Sequence, residues 1–447
     1  MDSIERRIAS VVDEQADAII DFAEDIFRHP ELGFKEFRTA QKVEEFFRSI
    51  GLESQAGLAI TGVKAYLRPP REGAPTVSVI GELDAVTSPA HPNADPETGA
   101  AHCCGHHAQL AALVGAALAL RDPEVQAALD GNVAFFAVPS EEYGQIEFKN
   151  GLKQEGKLGY LGGKCELIRL GAFEDIDIAL GYHSAIGEKS YDAIVGGGTC
   201  NGFVAKLVRY IGRESHAAGS PQTGINALNA ATLGLTALQF QRETFRDEDT
   251  VRVHPILTKG GSLVNVIPGE AVVELLVRAR NLHAILDANA KATRAFEAGA
   301  YAIGAKVEIT DNAGYLPLVP EYAPSPFLEA ALSVLPEGKV HVTQPGEGGT
   351  FSTDFGDLSH VLPVFSFNTS GLSGEAHAAS VRVEDPYKAY VLPAKIMAIA
   401  VYRLLREQAS LAREIKAKHK PPLTREQYIA LLDSIAAGKA ELPAQIK

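Results

Sequence analysis

The strongest constraint on this chain is a set of short segments with no polar face. Thr76–Ile80, Asn132–Val138 and Ile176–Leu180 are apolar or β-branched almost throughout. Strands of that kind must be covered on both sides, and these three are separated by helical patterns such as Ala108–Arg121. Strands buried on both faces and joined through helices form a mainly parallel sheet between helical layers. Val43–Ile50 continues another helical pattern, with Gly51 placed to end it. The fold class is therefore α/β.

The texture changes near Val195. Gly202–Tyr210 alternates as a half-exposed strand does, and Thr223–Phe240 has the pattern of a helix. Val264–Val277 holds strand-like runs, and Ala284–Ile303 is a second helix that Gly304 would close. The order strand, helix, strand, strand, helix predicts a small α+β, ferredoxin-like domain with an open antiparallel sheet. The first texture returns after about residue 313, with Val361–Asn368 as a strand and Ala389–Leu405 as a helix. We expect residues 1–195 and 313–447 to form one discontinuous domain, with residues 196–312 inserted in it.

A chain of 447 residues is long enough for that arrangement. Its formal net charge of −14 argues against nucleic acid or an anionic membrane as a partner. No apolar run reaches the roughly 18 residues of a membrane span; Ala111–Leu120 and Ile396–Leu405 are short and fit buried helix segments. Met1–Phe27 carries acids through its apolar pattern, so an amphipathic helix is expected there and not a signal peptide. The expected location is the cytoplasm. Four cysteines, two of them adjacent, make no disulfide framework and are expected to be reduced thiols. Thr424-Arg425-Glu426-Gln427 has the form of a capping box before a last short helix, to which no chemistry is assigned.

The segment richest in chemistry is His102-Cys103-Cys104-Gly105-His106-His107, which carries five potential metal ligands in six positions. Cys104 and His106 are two apart, so in an extended segment they leave the same face and can converge on one ion. Ser140-Glu141-Glu142 follows the Asn132–Val138 strand, at the end where open α/β sheets place their ligands. Neighbouring side chains point apart, so one carboxylate can bind metal while the other serves as general base. His183 ends the next strand, and His377 follows Val361–Asn368 in Gly374-Glu375-Ala376-His377. Alone, each would more often be an ordinary loop histidine. Several strand ends and a Cys-x-His loop aimed at one crevice are harder to dismiss.

The order Cys-Gly-His, Glu-Glu, His and a late His, with an inserted domain before the last, resembles the metal-dependent amidohydrolases of the aminoacylase and carboxypeptidase-G2 superfamily. The nearest branch is that of hippurate, auxin-conjugate and aminobenzoyl-glutamate hydrolases. Supporting matches are Phe27-Arg28-His29-Pro30-Glu31-Leu32-Gly33, Gly261-Ser262-Leu263-Val264-Asn265-Val266-Ile267-Pro268 and Ser352-Thr353-Asp354-Phe355-Gly356. The resemblance implies Cys104, His106, Glu142, His183 and His377 as ligands of one or two divalent ions, zinc or manganese, with Glu141 as general base. It implies that His216, in the inserted domain, reaches into a partner subunit's site to stabilise the oxyanion. Asn265 and Arg278 would bind the substrate's carbonyl and carboxylate. A homodimer or higher oligomer through the inserted domain follows from the same likeness.

The activity implied is attack of metal-activated water on a C–N bond of a small, carboxylate-bearing substrate with aromatic character, an N-acyl or N-aroyl amino acid. Two alternatives stand beside it: hydrolytic loss of ammonia from an aromatic amine such as 5-nitroanthranilate, and a catalytically silent metal-binding protein of the same fold. The chain departs from the related pattern in three places. His107 stands where relatives usually have aspartate, and Glu82 precedes Leu83-Asp84-Ala85 where many have histidine or aspartate. The interval from Glu142 to His183 is also long, with a basic, Gly-rich stretch from Lys149 to Lys164 suited to a lid or a pocket wall.

Overall fold

In the computed structural model, which describes residues 1–196, 198–320, 325–344, 347–440 and 442, the three apolar segments lie side by side in an eight-stranded sheet. Asn132–Val138, Thr76–Glu82, Ile178–Ser184 and Val364–Thr369 are neighbours in that order, and all are parallel. A hairpin of Ser54–Leu58 and Gly62–Tyr66 adds antiparallel strands on one side, and Ala193–Val195 with Val340–Val342 extends the other. Thr76–Glu82 and Asn132–Val138 are buried at every position, as strands without a polar face must be. Because the four central strands are parallel, their C-terminal ends emerge along one edge.

Helix His106–Arg121 is buried everywhere except Leu118 and Arg121. A helix with no polar face belongs inside a layer. It lies against Leu392–Leu405, where Gly115 allows close approach to Ala394 and Ile19. The N-terminal segment forms two helices, Ser3–Glu14 and Ala16–Arg28, broken at Gln15, and not the single helix expected. All four cysteines are free and buried.

A second, four-stranded sheet runs Arg252–Lys259, Glu270–Ala279, Gly202–Ile211, Lys306–Ala313, each neighbour antiparallel. Helices Ala227–Phe240 and Leu282–Ile303 pack with it. Gly202–Ile211 is not half exposed: it is paired on both sides, Tyr210 reaches the Phe296 carbonyl, and Phe203 packs on Tyr143 and Tyr315. Two strands of this sheet had no clear signal. Arg252–Lys259 is a largely exposed edge strand containing Pro255, so it shows no buried face, and Lys306–Ala313 is polar over most of its length. The helix expected from Thr223 begins at Ala227, because Pro221–Thr223 forms a separate 3-10 turn and Asn226 caps the helix itself.

The long interval after Glu142 contributes helices Ile146–Gln154 and Gly163–Arg169. The C-terminal helix Arg425–Ala436 holds the second in place: Arg425 donates to the carbonyls of Ile168 and Arg169, and Tyr160 donates to Asp433. Gly163 meets the Pro139 carbonyl so closely that a Cβ there would lie 1.6 Å from its oxygen. Gly163→Ala is therefore expected to lower unfolding free energy by about 1–3 kcal/mol through overpacking. An unchanged urea midpoint would show that this approach is not tight.

Candidate metal centre

The chain leaves strand Thr76–Glu82 through Leu83 to Asp84, whose carboxylate is fully buried. Its Oδ1 accepts from the Glu141 amide at 3.1 Å and its Oδ2 from the Glu142 amide at 2.9 Å. Ser140, before them, is held in the left-handed region at φ 48°, with its amide on Glu36 at 2.8 Å. Lys149 donates to the Glu142 carbonyl at 2.6 Å and to Ser140 Oγ at 2.7 Å, and the Tyr315 hydroxyl donates to the Glu141 carbonyl. With its backbone so engaged, the turn presents two carboxylates at the sheet edge in fixed directions.

Gly105, at φ 93°, makes the turn into the next helix, where a Cβ would sit 3.0 Å from Ser184 Oγ. His106 is the first helical residue. Its Nδ1 lies 2.8 Å from the Asp84 carbonyl, and Nδ1 of His183 lies 3.0 Å from the Ser184 carbonyl. A carbonyl only accepts, so both rings carry hydrogen on Nδ1, which leaves Nε2 as the nitrogen that can bind metal. Nε2 of His183 is 3.3 Å from Cys104 Sγ. His377, at φ 63°, donates its amide to the Cys103 carbonyl at 2.9 Å and places Nε2 3.1 Å from Glu142 Oε1.

Three donor groups result, Cys104/His106/His183, Cys104/Glu142/His377 and Glu82/His106/Glu141, with the atoms of each within 4.8 Å of one another; the first two carry the thiol and form the donor sets of the centre. Cys104 belongs to both. His106 Nε2 and Glu142 Oε1 are buried without a hydrogen-bond partner. Glu82 Oε2 and His377 Nε2 stand 3.1 Å from them, near enough but out of line. Buried polar atoms are seldom left so, and donors aimed past one another suit a cation between them. A thiolate, imidazoles and a carboxylate fit a divalent ion.

The electrostatics are those of opposite charges packed together: burial opposes a charge on His106 and His183, but Cys104 and Glu82 raise the proton affinity of both. Burial and Glu142 push the Cys104 thiol up, but His106 and His183 outweigh them and bring it to about 6. Burial raises Glu142, yet His377 and His106 hold it at about 2. The Cys104 and Glu142 groups beside it lift His377 to about 11. Burial, Glu82 and Glu142 drive Glu141 well above the usual carboxylate range. Glu141 Oε2 is 3.8 Å from His106 Nε2.

The residues expected from the inserted segment divide. Arg278 is half-buried in the field of Glu142 and Glu141, and its Nη1 donates to Ser352 Oγ at 3.1 Å. His216 is instead exposed on a strand paired with Val266–Ile267, and Asn265, also exposed, directly precedes that strand and accepts the Ala217 amide on its carbonyl at 2.9 Å. Neither belongs to the donor sets. His107 turns away from the site and packs against Phe27 and Tyr390. A cavity of about 220 Å³ beside Glu142 and His377 is lined by Leu32, Val86, Thr87 and Gln145. Sequence reasoning missed Asp84, Tyr315 and Lys149 as organisers. Asp84 stood in the noted Glu82-Leu83-Asp84-Ala85 run, and Lys149 in the basic stretch; Tyr315 had no signal.

Residues 79–403 match Peptidase family M20/M25/M40. The chain is 28% identical over 450 residues to the Xaa-Arg dipeptidase of Mus musculus, covering 96% of this chain and 95% of that protein. It is 28% identical over 286 residues to one of the subunits of p-aminobenzoyl-glutamate hydrolase from Escherichia coli (strain K12), covering 62% of this chain and 54% of that protein. A dinuclear metal-binding peptidase of the M20 family from Bacillus subtilis shares the fold at TM-score 0.57 and 21% identity, over 88% of this chain and 99% of that one.

Replacing either His106 or Glu142 by alanine is expected to remove most of the metal retained after dialysis. Elemental analysis checks this, and full retention in both variants would exclude the donor sets.

Proposed function

The chain belongs to peptidase family M20/M25/M40, a family of metal-dependent hydrolases acting on C–N bonds, and from that premise we propose that it hydrolyses the amide of a small N-acyl or N-aroyl amino acid. The observation that carries this reading is Glu141, a buried carboxylate of raised proton affinity held beside two donor sets by the Asp84 clamp. The relatives' names, an Xaa-Arg dipeptidase and a p-aminobenzoyl-glutamate hydrolase, support a substrate whose amide joins an amino acid.

A divalent ion, when bound, polarises water and the substrate carbonyl. Zinc suits the shared Cys104 thiolate, and manganese suits Glu142. Cys104, His106 and His183 would hold one ion, and Cys104, Glu142 and His377 another. Glu141 takes the proton from the attacking water and returns it to the departing nitrogen. Arg278, whose Nε is buried without a partner, donates to the substrate carboxylate. His216 Nδ1 accepts from the amides of Ala218 and Gly219 at 3.3 and 2.9 Å, so Nε2 carries the hydrogen and acts as a donor. Exposed as it is, it would serve the oxyanion of a neighbouring subunit, with Asn265 beside it, in a homodimer formed through residues 196–312. Residues 1–195 and 313–447 would then be the catalytic domain.

Loss of ammonia from an aromatic amine drew on the Cys104-Gly105-His106-His107 motif and the long interval after Glu142; of these, His107 packs on Phe27 and Tyr390 and lies outside the donor sets. A silent metal-binding protein would not need Glu141 at its place.

Glu141→Gln is expected to keep its metal and lower kcat by about two or more orders of magnitude, read as free amino acid from N-benzoyl and N-acetyl substrates. Near-parental turnover would remove Glu141 as the proton shuttle. Mixing inactive His216→Ala with inactive Glu141→Gln is expected to restore activity, because each mixed dimer holds one site with both residues. Absence of recovery after verified subunit exchange would place His216 outside the partner's chemistry.

A further inference from the structure

Glu82, one of the departures from the related pattern, ends its strand at 2% exposure. Its Oε1 accepts from Lys164 Nζ at 2.6 Å and its Oε2 from Gln109 Nε2 at 2.6 Å. The same Oε2 stands 3.1 Å from His106 Nε2. Lys164 bridges onward to Asp354, which also accepts the Lys164 amide at 2.9 Å, and the Phe355 ring lies 4.3 Å from the ammonium. All three charged groups are buried. They come from a strand end, the long interval and the Ser352-Thr353-Asp354 motif, far apart in sequence.

A buried ion pair contributes little net stability beyond what an apolar core would give, so its presence beside a site calls for a role other than packing. The geometry supplies one. Gln109 and His106 are three apart on one helical turn, and Glu82 faces both. Fixing Glu82 therefore fixes the first turn of the helix that presents His106. Lys164 fixes Glu82 from the opposite side.

We infer that Lys164 is a positioning residue of the metal centre, holding the Glu82 carboxylate against Gln109 and beside the metal-facing Nε2 of His106, so that the first helical turn presents His106 to the Cys104/His106/His183 donor set in one orientation. The inference rests on the donor-set reading above and adds a residue to it. Outer groups that hold ligating side chains in place set their orientation, and their loss weakens metal affinity about 10–100-fold.

The test is cobalt titration of the chelator-stripped protein, followed by calorimetry and by the cobalt visible bands, including the thiolate band expected from Cys104. Lys164→Met is expected to weaken cobalt binding about 10–100-fold, to shift the visible bands, and to lower kcat more than it changes KM. Lys164→Arg is expected to recover affinity. A folded Lys164→Met protein with parental affinity and spectrum would overturn the inference. If that variant does not fold, the double variant Glu82→Gln/Lys164→Gln, which removes both charges together, is read by the same criteria. A parent protein that takes up no cobalt with a cysteine band would instead overturn the donor-set reading, and this inference with it.

Discussion

The Asp84 carboxylate takes one backbone amide on each oxygen, from Glu141 and Glu142. It thereby joins the ends of two neighbouring parallel strands, while the carbonyl of the same residue receives His106 Nδ1. Three candidate functional side chains from two segments are oriented by one residue. Carboxylate–amide bonds in a buried setting are among the stronger hydrogen bonds a protein makes. Without them the Ser140–Glu142 turn, already in a left-handed conformation at Ser140, would have no reason to keep Glu141 and Glu142 apart.

Around that residue acids outnumber fixed cations, and the fold handles each acid differently. Asp84 is neutralised by amide dipoles, and Glu82 and Asp354 share Lys164. Glu36 is pushed up to about 7 by burial and by Asp84. Asp357, hydrogen-bonded by Tyr428, is driven up by burial as well. Glu141 is driven up by burial, Glu82 and Glu142, while Glu142 is held down against burial by His377, and both keep carboxylate oxygens among the donor groups.

The sheet, the helices around it and the order of donors were legible because each left a local mark. Asn132–Val138 has no polar face, and Cys104-Gly105-His106 stands directly before a wholly apolar helix. What was hidden depends on burial that composition does not reveal. Arg252–Lys259 looks like a loop because an edge strand need not be apolar. His107 looks like a fifth ligand until the structure packs its ring on Phe27. Lys164 and Tyr315 act through partners more than a hundred residues from many of their neighbours in sequence, a relation no window of residues contains. The C-terminal helix, recognisable by its Thr424 cap, proves to brace the segment that carries Lys164.

The two donor sets are mounted on unequal supports. His106 begins a helix enclosed on all sides, and His183 lies within a central strand. Moving either requires opening the core, an event near the cost of global unfolding. His377 sits on an exposed loop, in a strained left-handed conformation, and its amide is tied by one bond to the Cys103 carbonyl. Fluctuations of that loop cost far less. The centre is therefore built from unequal materials, one side continuous with the core and the other carried on the surface.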